Sequence, residues 1–222
     1  MNECEQRISW RDHYRALSDL RRGVPVAVVD GSHALILLAS EVLSDENIAE
    51  LEAISQKRPV IITSGQRASH LKIPFAQDVT SFNWPEWLDK EAVAALGDPS
   101  MDLNTPLKGP FSACDLNMAD DVMKAALNLL KQAQLLPTGL VVTTAFQKLS
   151  DQDILCLDSN AILNFEAEEA RQLRPVVHAK LPLKDAEDAQ VFVFRPHDGS
   201  VEHLAIIIGS PQQDKPVLTR LH

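Results

Sequence analysis

The rhythm of apolar runs changes once along this chain, and that change constrains its fold more than any other feature. Through the first 172 residues, short β-branched runs alternate with helical patterns. After Pro175, four apolar runs follow one another with only polar turns between them. The first pattern calls for a sheet with helices packed on it, and the second for an antiparallel meander. The chain therefore reads as α+β. One domain covers residues 1–172, and a second stretch covers 176–222.

Inside the first domain, Ser9-Trp10-Arg11-Asp12 resembles a capping box, and Trp10, Tyr14, Leu17 and Leu20 recur behind it at helical spacing. Gly23 ends that helix. Val24–Val29, Ala34–Ala39 and Pro59–Thr63 read as strands. Ser44 opens a helix with Asp45 and Glu46 in its first turn and Ile48, Leu51 and Ile54 on one face. A short helix is predicted over Gln66–Leu71. Residues 75–116 carry four of the thirteen prolines and weak periodicity. They read as irregular, with one short helix over Lys90–Leu96. Met118, Val122, Ala125, Leu129 and Ala133 share a helix face. Strands are predicted at Gly139–Thr144 and Ile154–Leu157, and Ser159 caps a last helix. The meander then takes Val176–Leu181, Gln190–Arg195, Val201–Ile208 and Pro216–Arg220.

Composition narrows the function. The chain has 222 residues and a net charge of −10, without a basic stripe, which excludes nucleic acid and membrane surfaces as partners. Cys4, Cys114 and Cys156 are far apart and unpaired in spacing, as expected of reduced thiols in a cytoplasmic protein. The N-terminus MNECEQRISW has no apolar run, so no signal peptide is expected. Among the polar residues, His203 reads as a core histidine within an apolar strand, and His33 and His70 as surface or turn residues. Asp120-Asp121 reads as a pair that complements a helix dipole. Trp84-Pro85-Glu86-Trp87 reads as local packing in an irregular loop.

Three stretches carry a family resemblance. Ala16–Asp30, with its Leu17-Ser18-Asp19-Leu20-Arg21-Arg22-Gly23-Val24-Pro25 core, resembles the first helix and strand of dihydroxybutanone-phosphate synthase. Ser40-Glu41-Val42-Leu43-Ser44 and Pro137-Thr138-Gly139-Leu140-Val141 resemble later parts of the same fold. Where that family has an acidic Mg²⁺-holding loop, this chain has Asp30-Gly31-Ser32-His33-Ala34. Where the family has His-Thr-Glu, counting back from Pro137 gives Val122, Met123 and Lys124. The resemblance thus implies a synthase fold without synthase chemistry. A lyase with relocated metal ligands is the minor alternative.

From residue 176 onward the chain resembles the opening of GTP cyclohydrolase II, through Ala179-Lys180-Leu181-Pro182, Glu202-His203-Leu204-Ala205 and Pro216-Val217-Leu218-Thr219-Arg220-Leu221-His222. The resemblance implies a riboflavin-biosynthesis protein and makes Arg220 and His222 one edge of a GTP site. The family's three zinc-binding cysteines follow its Arg-x-His. The complete family enzyme uses zinc, whereas no cofactor and no catalytic residue is expected within these 222 residues. The synthase fold, dimeric in its own family, also implies a homodimer. The rival reading is a non-catalytic dimerisation or regulatory scaffold.

Overall fold

The computed structural model describes residues 3–73, 77–104, 109–150, 152–196, 201–212 and 214–221, with the backbone alone over residues 3–9. The chain divides into two compact units, residues 1–163 and 164–222.

The first unit is built on a six-stranded sheet. Its strands are β1 (Val26–Asp30), β2 (His33–Ala39), β3 (Val60–Ser64), β4 (Val79–Asn83), β5 (Thr138–Ala145) and β6 (Leu155–Asp158), in the spatial order β4-β3-β5-β2-β1-β6. All neighbours pair antiparallel except β1 and β6. Both faces are covered, so the strands are apolar on both sides. On one face Val26, Val28, Leu35, Leu37, Ile62 and Val141 pack under α1 (Glu3–Arg21), α5 (Asp120–Gln132) and Ile162 of α6 (Ser159–Arg171). On the other face Ile36, Leu38, Ile61, Phe82, Leu140 and Val142 pack under α2 (Asp45–Ser55), α3 (Gly65–His70) and α4 (Lys90–Gly97). Burying each large aliphatic side chain contributes roughly 1.5–3 kcal/mol.

Local chemistry sets the helix ends. Ser44 accepts from the Asn47 amide while the Asn47 side chain accepts from the Ser44 amide, a reciprocal cap on α2. The Asn47 amide group also donates to the carbonyls of Gly23 and Val42. Gly23 sits at φ +75°, and a Cβ there would stand 2.9 Å from that amide nitrogen, so glycine is required on both counts. At Gly139 a Cβ would meet the Leu38 carbonyl at 2.6 Å, which explains the glycine in the middle of the β5 match to the synthase pattern.

Arg67 fastens α3 to the chain after α4. Its side chain is 7% exposed. It donates to the Leu96 and Asp98 carbonyls and makes two bonds of 2.6 and 2.7 Å to the Asp102 carboxylate, which also meets His70 at 3.1 Å. His13, 2% exposed, shares a bond of 2.8 Å with Gln132, whose amide group donates to the Ile162 carbonyl. That relay joins α1, α5 and α6.

Several expectations are corrected. α1 begins at Glu3, so Ser9 lies inside the helix and does not cap it. Ser159 is the first residue of α6, and the Asp158 carboxylate supplies the cap by accepting from the Ala161 amide. The stretch read as irregular contains β4, in which Thr80 and Phe82 are buried and Val79 and Ser81 half-buried. Phe111 lies 5.0 Å from Phe82, and Trp87 stacks on Phe111 at 6.1 Å while staying 56% exposed. Trp84 donates to the Leu88 carbonyl, as local packing requires.

The second unit contains β7 (Arg174–Lys180), β8 (Gln190–Arg195) and β9 (His203–Ile207), an antiparallel meander. Its register puts Val177, Val193 and Leu204 side by side, and Ala179, Val191 and Ile206 beside them on the same face. On the opposite face His178 stacks on Phe192 at 5.5 Å. Residues 216–220 form no strand, contrary to expectation. Pro216 has no amide to donate, and no strand pairs with this run among the described residues. His203 is exposed on an edge strand of this sheet, so the core reading of that histidine is overturned.

Candidate functional site

Residues 112–118 lead into α5, and the edge of β4 holds their first part in place. The Asn83 amide donates to the Ser112 carbonyl, the Cys114 amide to the Ser81 carbonyl, and the Ser81 hydroxyl to the Cys114 carbonyl at 2.5 Å. Asp115 then accepts from the Asn117 amide, and Asn117 takes φ +50°, a left-handed turn that asparagine tolerates. Leu116 and Met118 pack onto the core.

Asp115–Met118 form a wall common to two lobes of a trough. One lobe, of about 900 Å³, is bordered by Asp78, Ser81, Cys114, Asp120 and Lys124. The other, of about 410 Å³, is bordered by His33, Lys57, Arg58, Asn117 and Thr143. The first lobe is acidic and the second basic.

The positions that carry synthase chemistry in the resembling family border the first lobe or lie behind it. Val122 is fully buried in the core, Met123 is 8% exposed, and the Lys124 ammonium lies 3.4 Å from an Asp78 oxygen. Asp120 and Asp121 occupy the first turn of α5, as expected, and face its positive end. The turn from Asp30 to His33 offers a single carboxylate. No group of His, Cys, Asp or Glu among the described residues has the placement of a metal site, so neither zinc nor magnesium fits the donor set present. Burial pushes the Cys114 thiol up, with a smaller push from Asp115 and an opposing bond from Ser81. Burial does the same to Cys156. Both are free cysteines that stay protonated near neutrality and are poor nucleophiles.

Against curated proteins, the chain aligns with the GTP cyclohydrolase-2 of Azospirillum brasilense at 31% identity over 217 residues. This chain is a relative of GTP cyclohydrolase II. The match covers 94% of this chain and 56% of the relative, so the chain spans about half the length of the protein it matches. The structure also aligns with a cation-free 3,4-dihydroxy-2-butanone 4-phosphate synthase, with a TM-score of 0.53 and 10% identity over 71% of this chain and 97% of that one. That likeness shows the fold. A two-domain synthase from A. baumannii aligns with a TM-score of 0.49 at 13% identity, over 89% of this chain and 70% of that one. No family model matches the chain.

Of the two residues assigned to the edge of a GTP site, Arg220 is exposed in the second unit, and His222 lies outside the described residues. The residues of the basic lobe were not singled out by sequence reasoning, apart from His33, which reads as a surface residue. They come from the start of β2, the α2–β3 loop, β5 and the 115–118 wall, and no local motif links them. The Lys57-Arg58 pair in an acidic chain is the one local signal. No helix among the described residues is long and apolar enough to cross a membrane.

Proposed function

We propose that this chain is a GTP cyclohydrolase II-like protein of riboflavin biosynthesis in which a synthase fold is kept without synthase catalysis. The observation that carries the reading is the fully buried Val122, together with Lys124 paired to Asp78, at the positions where the family holds histidine and glutamate. A side chain in the core cannot hold a proton for a substrate, and an ammonium beside Asp78 cannot act as a carboxylate ligand. The synthase-like part runs to about residue 172, and the strands from 176 belong to a cyclohydrolase-like part. In the complete family enzyme, zinc activates the water that opens the guanine ring of GTP, with loss of formate and pyrophosphate. Arg220 and His222 would contribute to the edge of that GTP site, where an arginine suits phosphate oxygens. The three zinc thiolates are not among these 222 residues, so this chain alone is inactive. The rival reading is a non-catalytic dimerisation or regulatory scaffold in the cytoplasm, which would keep the synthase fold for assembly rather than for chemistry.

The test is a formate assay. The purified chain, given ribulose 5-phosphate with Mg²⁺ or GTP with Zn²⁺, is expected to release no formate above a protein-free blank, and sedimentation should show a dimer. Formation of the four-carbon phosphate from ribulose 5-phosphate would sink the non-catalytic reading, and a strict monomer would sink the scaffold role.

A further inference from the structure

Among the described residues, one buried side-chain polar atom has no hydrogen-bond partner, the Ser40 hydroxyl oxygen. Ser40 is fully buried. The β2–β5 register pairs Ala39 with Gly139, so Ser40, one residue on, stands beside Thr138, which pairs in turn with Thr63 of β3. The three make a row of hydroxyls from the end of β2 across β5 to β3. Thr63 donates to the Pro137 carbonyl at 3.3 Å, so Thr138 donates to Thr63, at 2.7 Å. The row ends on Ser40, whose proton reaches no acceptor. Gly97, the last residue of α4, closes over this end. A Cβ there would stand 3.2 Å from the Thr138 hydroxyl and 3.3 Å from that of Ser40.

The C-terminal end of α4 thus meets two opposite environments. Arg67 donates to the Leu96 carbonyl at 2.6 Å and to the Asp98 carbonyl at 3.3 Å, which holds this end down. The Ser40 hydroxyl pushes the other way, because a buried hydroxyl without a partner regains its hydrogen bonds when water reaches it. The helix is also lightly anchored. Its eight residues bury Val93, Leu96 and Gly97, whereas the thirteen of α5 bury seven. At its start, Lys90 pairs with an Asp45 carboxylate that is 86% exposed, a contact that contributes little. We propose that α4 is a strap that lifts off residues 40–42 and the end of β5 while the rest of the sheet stays folded, with the Ser40 hydroxyl favouring the open state and the Arg67 fork the closed one. The motion admits water to the Ser40 end of the hydroxyl row. No residue of α4 borders either lobe of the trough, so this motion is independent of whether the fold catalyses.

The experiment is residue-resolved hydrogen exchange on the full chain under native conditions. Amides of residues 94–97 in α4 are expected to exchange about tenfold faster than those in the middle of α5, or more, through an opening that urea hardly changes, as in a local rather than a global event. Ser40→Ala removes the unpartnered hydroxyl, so exchange in α4 should slow about tenfold and the melting temperature should rise. Arg67→Lys keeps the charge and loses the fork, so exchange in α4 should speed up. Exchange in α4 as slow as in α5, with the same urea dependence, overturns the strap, since the helix then opens only with the whole unit. Unchanged or faster exchange in the α4 of Ser40→Ala, or a lower melting temperature, overturns it as well, because the hydroxyl then has a partner in solution. Should Arg67→Lys fail to fold, the Ser40→Ala comparison decides alone.

Discussion

The two units spend similar apolar sequence in opposite ways. In the first, Leu35, Ile36, Leu37 and Leu38 run consecutively along β2, and all are fully buried because helices cover both sheet faces. In the second, Val177, Leu204 and Ile206 lie side by side in register, yet they are 57%, 68% and 55% exposed. Strand pairing alone therefore stabilises little here. A sheet needs a covering layer before its apolar side chains contribute through burial. The edges differ as well. The outer edge of β4 receives bonds from residues 112–114, whereas β7 and β9 have free edges among the described residues. A free apolar edge is a template for pairing with another chain.

The sharpest way to break this comparison is to truncate one side chain in each unit. Leu38→Ala empties a site enclosed on all sides and is expected to cost about 3 kcal/mol in urea unfolding. Ile206→Ala should cost well under about 1 kcal/mol, since its side chain gives up little burial. Equal costs would mean that the second sheet is covered in solution.

A pH series sharpens the comparison next. Burial pushes the His13 imidazole down to about 4 from its ordinary 6.5, against a smaller upward pull from Gln132. The ring is neutral in the folded state, so below pH 6.5 the unfolded chain takes up more protons. Stability is then lost as pH falls from 6.5 toward 4, by about 3 kcal/mol in all. The loss belongs to the first unit. His13→Gln should flatten the slope across that window, and a slope unchanged in the variant would place the titration elsewhere.

The smallest effect tests local structure alone. Ser44→Ala removes the side-chain acceptor at the start of α2 and is expected to lower stability by about 1 kcal/mol, with Gln at the same position no better. A thermal melt of each variant decides it. If Ser44→Ala is neutral, the Asn47 bonds to Gly23 and Val42 hold the helix start without it.

Much of the fold was legible because it was locally encoded. Ser44, Gly23 and the face of α5 marked by Val122, Ala125 and Leu129 act through neighbours a few residues away. β4 was not legible. Its inward residues are Thr80 and Phe82, and its outward residues include Val79, so the alternation hardly contrasts in polarity, and pairing with β3 decides the matter. The run 216–220 erred the other way, with strong strand propensity and no partner to pair with among the described residues. That Val122 and Lys124 stand where the resembling family has histidine and glutamate was visible by counting back from Pro137. The basic lobe was not, because Lys57, Thr143 and Asp115 meet only through sheet topology.

Arg67 shows what it means for one side chain to serve as a junction. Its guanidinium reaches two carbonyls and a carboxylate drawn from residues 96, 98 and 102. A lysine could keep the charge and lose the fork, since an ammonium cannot make two parallel bonds to a carboxylate while also serving two carbonyls. The path of the chain after α4 is thus written in a planar group thirty residues upstream. Changes in the length of that connection would be read first at Arg67, as an orphaned buried cation, before any strand of the sheet had moved.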